Sequence, residues 1–169
     1  ERLKKRYDSI QSSTGAFTQV LHSESFLENT ESEGEFWFSK PDKFRCDFKP
    51  PYVSVNLILG DIAYLAVPEL RQVERYIFDD SQQSRRHLHQ MLLGFGIASE
   101  EILEAYEIAL IDAEGLAQAR QLSPAPLDLP ADAAGLRMTP RDPGEAGIHA
   151  IHIWFAPGDL RPLALLVDE

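Results

Sequence analysis

The stretch "GEFWFSKPDKFRCDF", Gly34 to Phe48, decides how this chain is read. Its second half alternates, with Phe44, Cys46 and Phe48 on one side and Lys43, Arg45 and Asp47 on the other. A period of two with one apolar side is the pattern of a β-strand covering a core. In the first half Phe36 and Phe38 fall on one side while Trp37 falls opposite, so both faces there have something to bury. Between the halves, Lys40-Pro41-Asp42-Lys43 reads as a turn, proline being pre-set for the first central position. The fifteen residues are therefore two strands of a hairpin that carry five aromatic rings.

The same grammar extends outward. Upstream, Leu3, Tyr7 and Ile10 fall at i, i+4 and i+7, a narrow apolar stripe that predicts a helix from Glu1 to about Gln11, stopped by Ser12, Ser13 and Gly15. Short β-like runs follow at Ala16 to Ser23, Glu35 to Lys40, Phe44 to Lys49, Val53 to Leu59, Ile62 to Val67 and Gln72 to Phe78. Gly60-Asp61 is a two-residue hairpin turn, glycine supplying a positive φ. Val53, Val55, Leu57 and Leu59 alternate with Ser54 and Asn56, a sheet with one apolar and one mixed face, which favours an antiparallel meander. A second helix is expected from about Gln82 to Leu93, where Leu88, Met91, Leu92 and Phe95 recur at helical spacing, and a short turn at Glu100 to Leu103. Strands resume at Tyr106 to Ile111, Leu136 to Thr139, Ile148 to Phe155 and Leu163 to Val167. "AEGLAQARQLSPAPLDLPADAAG", Ala113 to Gly135, reads as an irregular surface excursion with at most a short strand at Ala117 to Leu122. The chain ends while still reading as strand, so a continuation of the natural sheet is expected.

Composition bounds the function. With 169 residues, 44% of them hydrophobic and 25% charged, the chain is an ordinary globular one, and a single domain over 1–169 is expected. Such a length buries roughly 70% of its unfolded surface and needs no staples. The single cysteine, Cys46, excludes an intramolecular disulfide. A net charge of −11 and a pI near 4.9 argue against nucleic acid as a partner. The one basic cluster, Arg2, Lys4, Lys5 and Arg6, reads as a solvated helix face. No apolar run approaches the roughly 18 to 20 residues of a membrane span, and no signal peptide heads the sequence as it stands, so a soluble protein is expected.

Catalytic patterns are missing. His87-x-His89 on a helix and His149-x-x-His152 on a strand point their rings apart, and no CxxC or HExxH accompanies them, so surface histidines are expected. No G-x-S-x-G and no glycine-rich phosphate loop occurs. Neither metal nor cofactor is called for, and the chain is expected to bind rather than to catalyse.

"RYDSIQSSTGAFTQV", then "GEFWFSKPDKFRCDF" and "GDIAYLAVPELRQV", resembles in order and spacing the amino-terminal part of the periplasmic lipoprotein carrier family (LolA-like). "LLGFG", "LRMTP" and "IHAIHIWFAPGDLRPLALLVDE" resemble its second half more loosely. The resemblance implies a mainly β fold with α: a curved antiparallel sheet forming an incomplete, open β-barrel, with helices packed as a lid on its concave side. It further implies a monomer of the Gram-negative periplasm whose apolar cavity holds the acyl chains of lipoproteins. The donor would be an inner-membrane ABC-type lipoprotein release complex, and the acceptor an outer-membrane lipoprotein receptor. Each lipid CH₂ is worth roughly 0.8 kcal/mol when buried, so a multiply acylated protein needs such shelter to cross water.

The candidate lipid-binding residues are Tyr7, Phe17, Trp37, Lys40, Phe44, Cys46 and Phe48, of which Tyr7, Lys40, Phe44 and Cys46 are carried over from the family by position. Tyr7 matches an apolar lid position, and Phe44 an aromatic at the cavity entrance. Lys40 stands where other members have a lid-tethering arginine, with the charge but not the planar fork. Cys46 replaces a tryptophan and reshapes the cavity. The usual Asp-Gly turn is reversed at Gly60-Asp61, and residues 113 to 134 have no counterpart. Two alternatives stay open: a sensor or carrier of another envelope lipid on the same scaffold, and an enzyme acting on a lipid or glycan.

Overall fold

A computed structural model describes residues 2–23, 28–78, 104–141 and 148–168. The chain opens with helix α1 (Arg2–Ser9) and continues as β1 (Ser12–Ser23), β2 (Glu28–Ser39), β3 (Lys43–Phe48), β4 (Ser54–Leu59), β5 (Ile62–Val67) and β6 (Gln72–Ile77). After a gap in the described residues come β7 (Tyr106–Leu110), α2 (Ala113–Leu122), β8 (Ala134–Pro140), β9 (Ala150–Phe155) and β10 (Pro162–Asp168). The expected second helix, 82–93, and the turn at 100–103 lie outside the described residues, as do His87 and His89.

The chain divides into two compact units, Asp8–Arg85 and Glu1–Tyr7 with Arg86–Glu169. The described strands form two sheets, of six and four, each antiparallel. Among the described residues neither closes into a barrel: β1 and β6 edge the first sheet, β10 and β7 the second. The fold is mainly β with α, as the alternation predicts.

The first unit is a meander in strand order β1 to β6. Gly60 takes φ 62° in the β4–β5 turn, as its reading as a hairpin residue requires. Directly paired residues share a face, so the register Phe38↔Phe44, Phe44↔Ile58 and Ile58↔Ala63 lays one buried line across β2 to β5. These four are 6%, 3%, 1% and 8% exposed, and each large one adds about 1.5 to 3 kcal/mol of burial. On β4 the core thus takes Ile58 from the mixed face, while Leu59 is left exposed. Ser12, Ser13 and Gly15, expected to end the helix before a strand at Ala16, already belong to β1. The reason is cross-strand cover: the Phe36 ring lies over Gly15 and the Phe17 ring over Gly34, each opposite its glycine in the register. A ring over a strand glycine restores the packing the missing side chain would have supplied.

The second unit repeats that device, with the Trp154 ring over Gly135. Every residue of β9 is buried, so the strand is covered on both faces. One side packs Tyr106, Met138, Ile148, Ile151, Ile153 and Phe155; the other packs Trp154 and Leu166 against Ala119 of α2. Helix α2 corrects the expectation of an irregular excursion with a strand at Ala117 to Leu122. The Asp112 side chain accepts a hydrogen bond from the Gly115 N–H at 2.8 Å and caps the helix, and Ala119 is fully buried on the sheet. His152 corrects a second expectation. It is a core residue at 6% exposure, stacked on Trp154 at 6.0 Å, whereas His149 is exposed as expected.

Candidate lipid-binding wall

Five of the seven candidate residues lie on the six-stranded sheet, distributed over both of its faces. Phe17, Phe44, Cys46 and Phe48 share one face. Phe17 meets Phe48 edge-on, ring centroids 5.3 Å apart at 85°, in the arrangement that the ring quadrupoles favour. Phe44 and Cys46 are each 3% exposed, so Phe44, expected at an entrance, is enclosed. Phe36 and Phe38, paired with Cys46 and Phe44, complete this face. Neither was among the candidates, although the alternation that sets Trp37 apart already placed them there. The result is a wall of five phenyl rings and a thiol on three adjacent strands.

The wall has no group that titrates near neutrality among these six side chains. Burial, helped by the Asp47 charge, pushes the Cys46 thiol up to about 12, so it stays neutral and behaves as a small apolar side chain. Such a surface can hold hydrocarbon and can do little acid–base or nucleophilic chemistry. Among the described residues no group of three or more His, Cys, Asp or Glu is placed to hold a metal ion.

Lys40 sits where β2 turns toward β3. Its backbone N–H donates to the Gln11 carbonyl at 2.9 Å, and its ammonium donates to the Asp8 carbonyl at 3.1 Å. Asp8 lies in the last turn of α1, where exposed carbonyls carry partial negative charge, so a cation is well placed there. Tyr7 lies in α1, and its side chain is outside what the structure describes.

Trp37 stands on the other face and is 41% exposed. The Arg45 guanidinium lies 5.7 Å from its ring centroid and is held from behind by both carboxylate oxygens of Asp47 at 2.7 Å. The structure therefore brings four of the seven candidates together, sets Lys40 at the margin and separates Trp37 from them.

Over residues 8–140 the chain matches the family described as outer membrane lipoprotein carrier protein LolA. It belongs to that family. Two curated relatives are named outer-membrane lipoprotein carrier protein. That of Alkalilimnicola ehrlichii is 37% identical over 71 residues, which cover 42% of this chain and 33% of the relative. That of Chromohalobacter salexigens is 36% identical over 73 residues, covering 43% and 35%. The matches thus span about a third of the length of these relatives. Among solved structures, a LolA superfamily protein from Nitrosomonas europaea aligns over 98% of this chain and 70% of its own, at 10% identity and a TM-score of 0.38. No helix among the described residues is long and apolar enough to cross a membrane.

Proposed function

We propose that the chain is a periplasmic lipoprotein carrier. Its apolar wall receives the acyl chains of a lipoprotein released by an inner-membrane ABC-type complex and delivers them toward the outer membrane, to a lipoprotein receptor there. Membership of the LolA family supports this reading, and the phenyl wall of Phe17, Phe36, Phe38, Phe44 and Phe48 carries it. A wall without a titrating catalytic group suits a binding protein rather than an enzyme. On this reading residues 1–169 act as one carrier domain, and the acyl chains lie against the wall. Lys40 donates to the Asp8 carbonyl at the margin of the wall, and an exposed hydrogen bond of that kind is worth only about 1 kcal/mol.

The test is transfer of a triacylated lipoprotein from inner-membrane vesicles bearing the release complex. Phe44→Glu places a carboxylate at a buried position of the wall and is expected to abolish uptake, while Phe44→Leu, which keeps the apolar volume nearly filled, retains it. Far-UV circular dichroism separates loss of binding from loss of fold. Transfer at the wild-type rate by a folded Phe44→Glu protein would remove this wall from the cargo site.

A further inference from the structure

The opposite face of the six-stranded sheet has a chemistry of its own. The register sets Thr14, Trp37, Arg45 and Leu57 side by side across β1 to β4. The neighbouring row holds Ser12, Ser39 and Lys43. Together they line a pocket of about 450 Å³, within the usual range for small-ligand sites. Its apolar lining is the Trp37 indole and Leu57, with Phe38 and Phe44. Its polar lining is made by the hydroxyls of Ser12 and Thr14 and by two cations.

Charge on this face is segregated. Lys43 and Arg45, two residues apart on β3, point to the same side about 7 Å apart. The acids Glu35 and Asp47 occupy the next row beyond, paired with Lys49 and Arg45 respectively. Asp42 and Asp61 lie in the turns at the near rim. Lys43 is in no ion pair among the described residues. Arg45 gives Nε and Nη2 to Asp47, which leaves Nη1 for a second acceptor. A guanidinium braced in this way by a carboxylate and an indole is pre-oriented, so little side-chain freedom is lost when a further oxygen binds. On a chain of net charge −11 the pocket is a local cationic spot beside an exposed indole.

We infer that this pocket binds a phosphate group carried on a short carbon skeleton. Lys43 Nζ and Arg45 Nη1 hold the phosphate oxygens, the Ser12 and Thr14 hydroxyls donate beside them, and Trp37 with Leu57 covers the carbon skeleton. Two sources have this chemistry, a glycerophospholipid headgroup and a free phosphate ester. The groups that hold the phosphate lie on the face opposite the phenyl wall, and the pocket reaches Phe38 and Phe44 of that wall only in its apolar lining.

The chain has two tryptophans, Trp37 and the 2%-exposed Trp154, so two indole N–H resonances report separately by NMR. Titration with dihexanoyl phosphatidylglycerol below its micellar concentration is expected to move the Trp37 signal saturably and leave Trp154 in place. Lys43→Ala, at an exposed position that leaves the fold intact, should weaken that titration by about tenfold or more, the usual loss for a hydrogen bond to a charged group. If glycerol 3-phosphate reproduces the shift, the pocket takes free phosphate esters as well; if only the acylated probe does so, the lipid headgroup is the ligand. No shift of Trp37 with either probe, or a shift unchanged by Lys43→Ala, overturns the inference.

Discussion

Cys46 lies on β3 between two phenylalanines of the wall, and burial holds its thiol far from ionisation. With a pKa of about 12, about one thiol in ten thousand is thiolate at pH 8, and the thiolate is the reactive form. The folded protein is therefore expected to resist a thiol reagent such as dithionitrobenzoate at pH 8, and to release one equivalent of thionitrobenzoate promptly once unfolded in guanidinium. Rapid reaction of the native chain would mean that the wall is open at Cys46. His152 makes the complementary case for pH. Burial, and then the Arg137 charge, lower its pKa below 6.5, against a weaker opposite pull from Asp168. The unfolded chain then binds the proton more readily than the folded one. The stability owed to neutral His152 is complete above pH about 6.5 and is lost as pH falls through the lower folded value. The melting temperature of the wild type should fall on acidification from pH 7 to 5 more steeply than that of His152→Leu, in which this loss is absent. Equal slopes would contradict the buried, neutral state.

Elements differ in how plainly their residues announce them. β3 and the hairpin around Gly34 to Phe48 were legible because one face is apolar and the other charged, and the paired register of Phe36 with Cys46 and Phe38 with Phe44 follows from that alternation. β9 was legible as a strand through its Ile and Phe content. The burial of His152 was not legible, because both faces of the strand are covered and the pattern lacks a polar side. Helix α2 was missed because its contact with the sheet is made by Ala119, a methyl group against Trp154, and small side chains leave a faint periodicity among neighbouring prolines. Its signal was Asp112, three residues ahead of the N–H it caps. Asp112→Ala is accordingly expected to lower the stability of the protein by about 1 kcal/mol in urea unfolding, without changing the wall. A change within error would show that packing alone holds the helix.

At the scale of the molecule, four of the seven candidate residues converge on one wall, and the motifs around them sufficed to point to the LolA family. Trp37 stands on the face that its own alternation gives it, opposite the wall, with the Arg45 guanidinium over its ring. What the wall holds depends on the cargo, and hydrophobic burial is non-directional. On the proposed function five phenyl rings offer acyl chains an apolar surface, and the cargo is identified by measurement. The most direct measurement is native mass spectrometry of the protein purified from the periplasm of an expressing Gram-negative cell. The account predicts a one-to-one complex with intact triacylated lipoprotein, lost in the Phe44→Glu variant. A protein that carries only free phospholipid or glycolipid, or nothing at all, would contradict it.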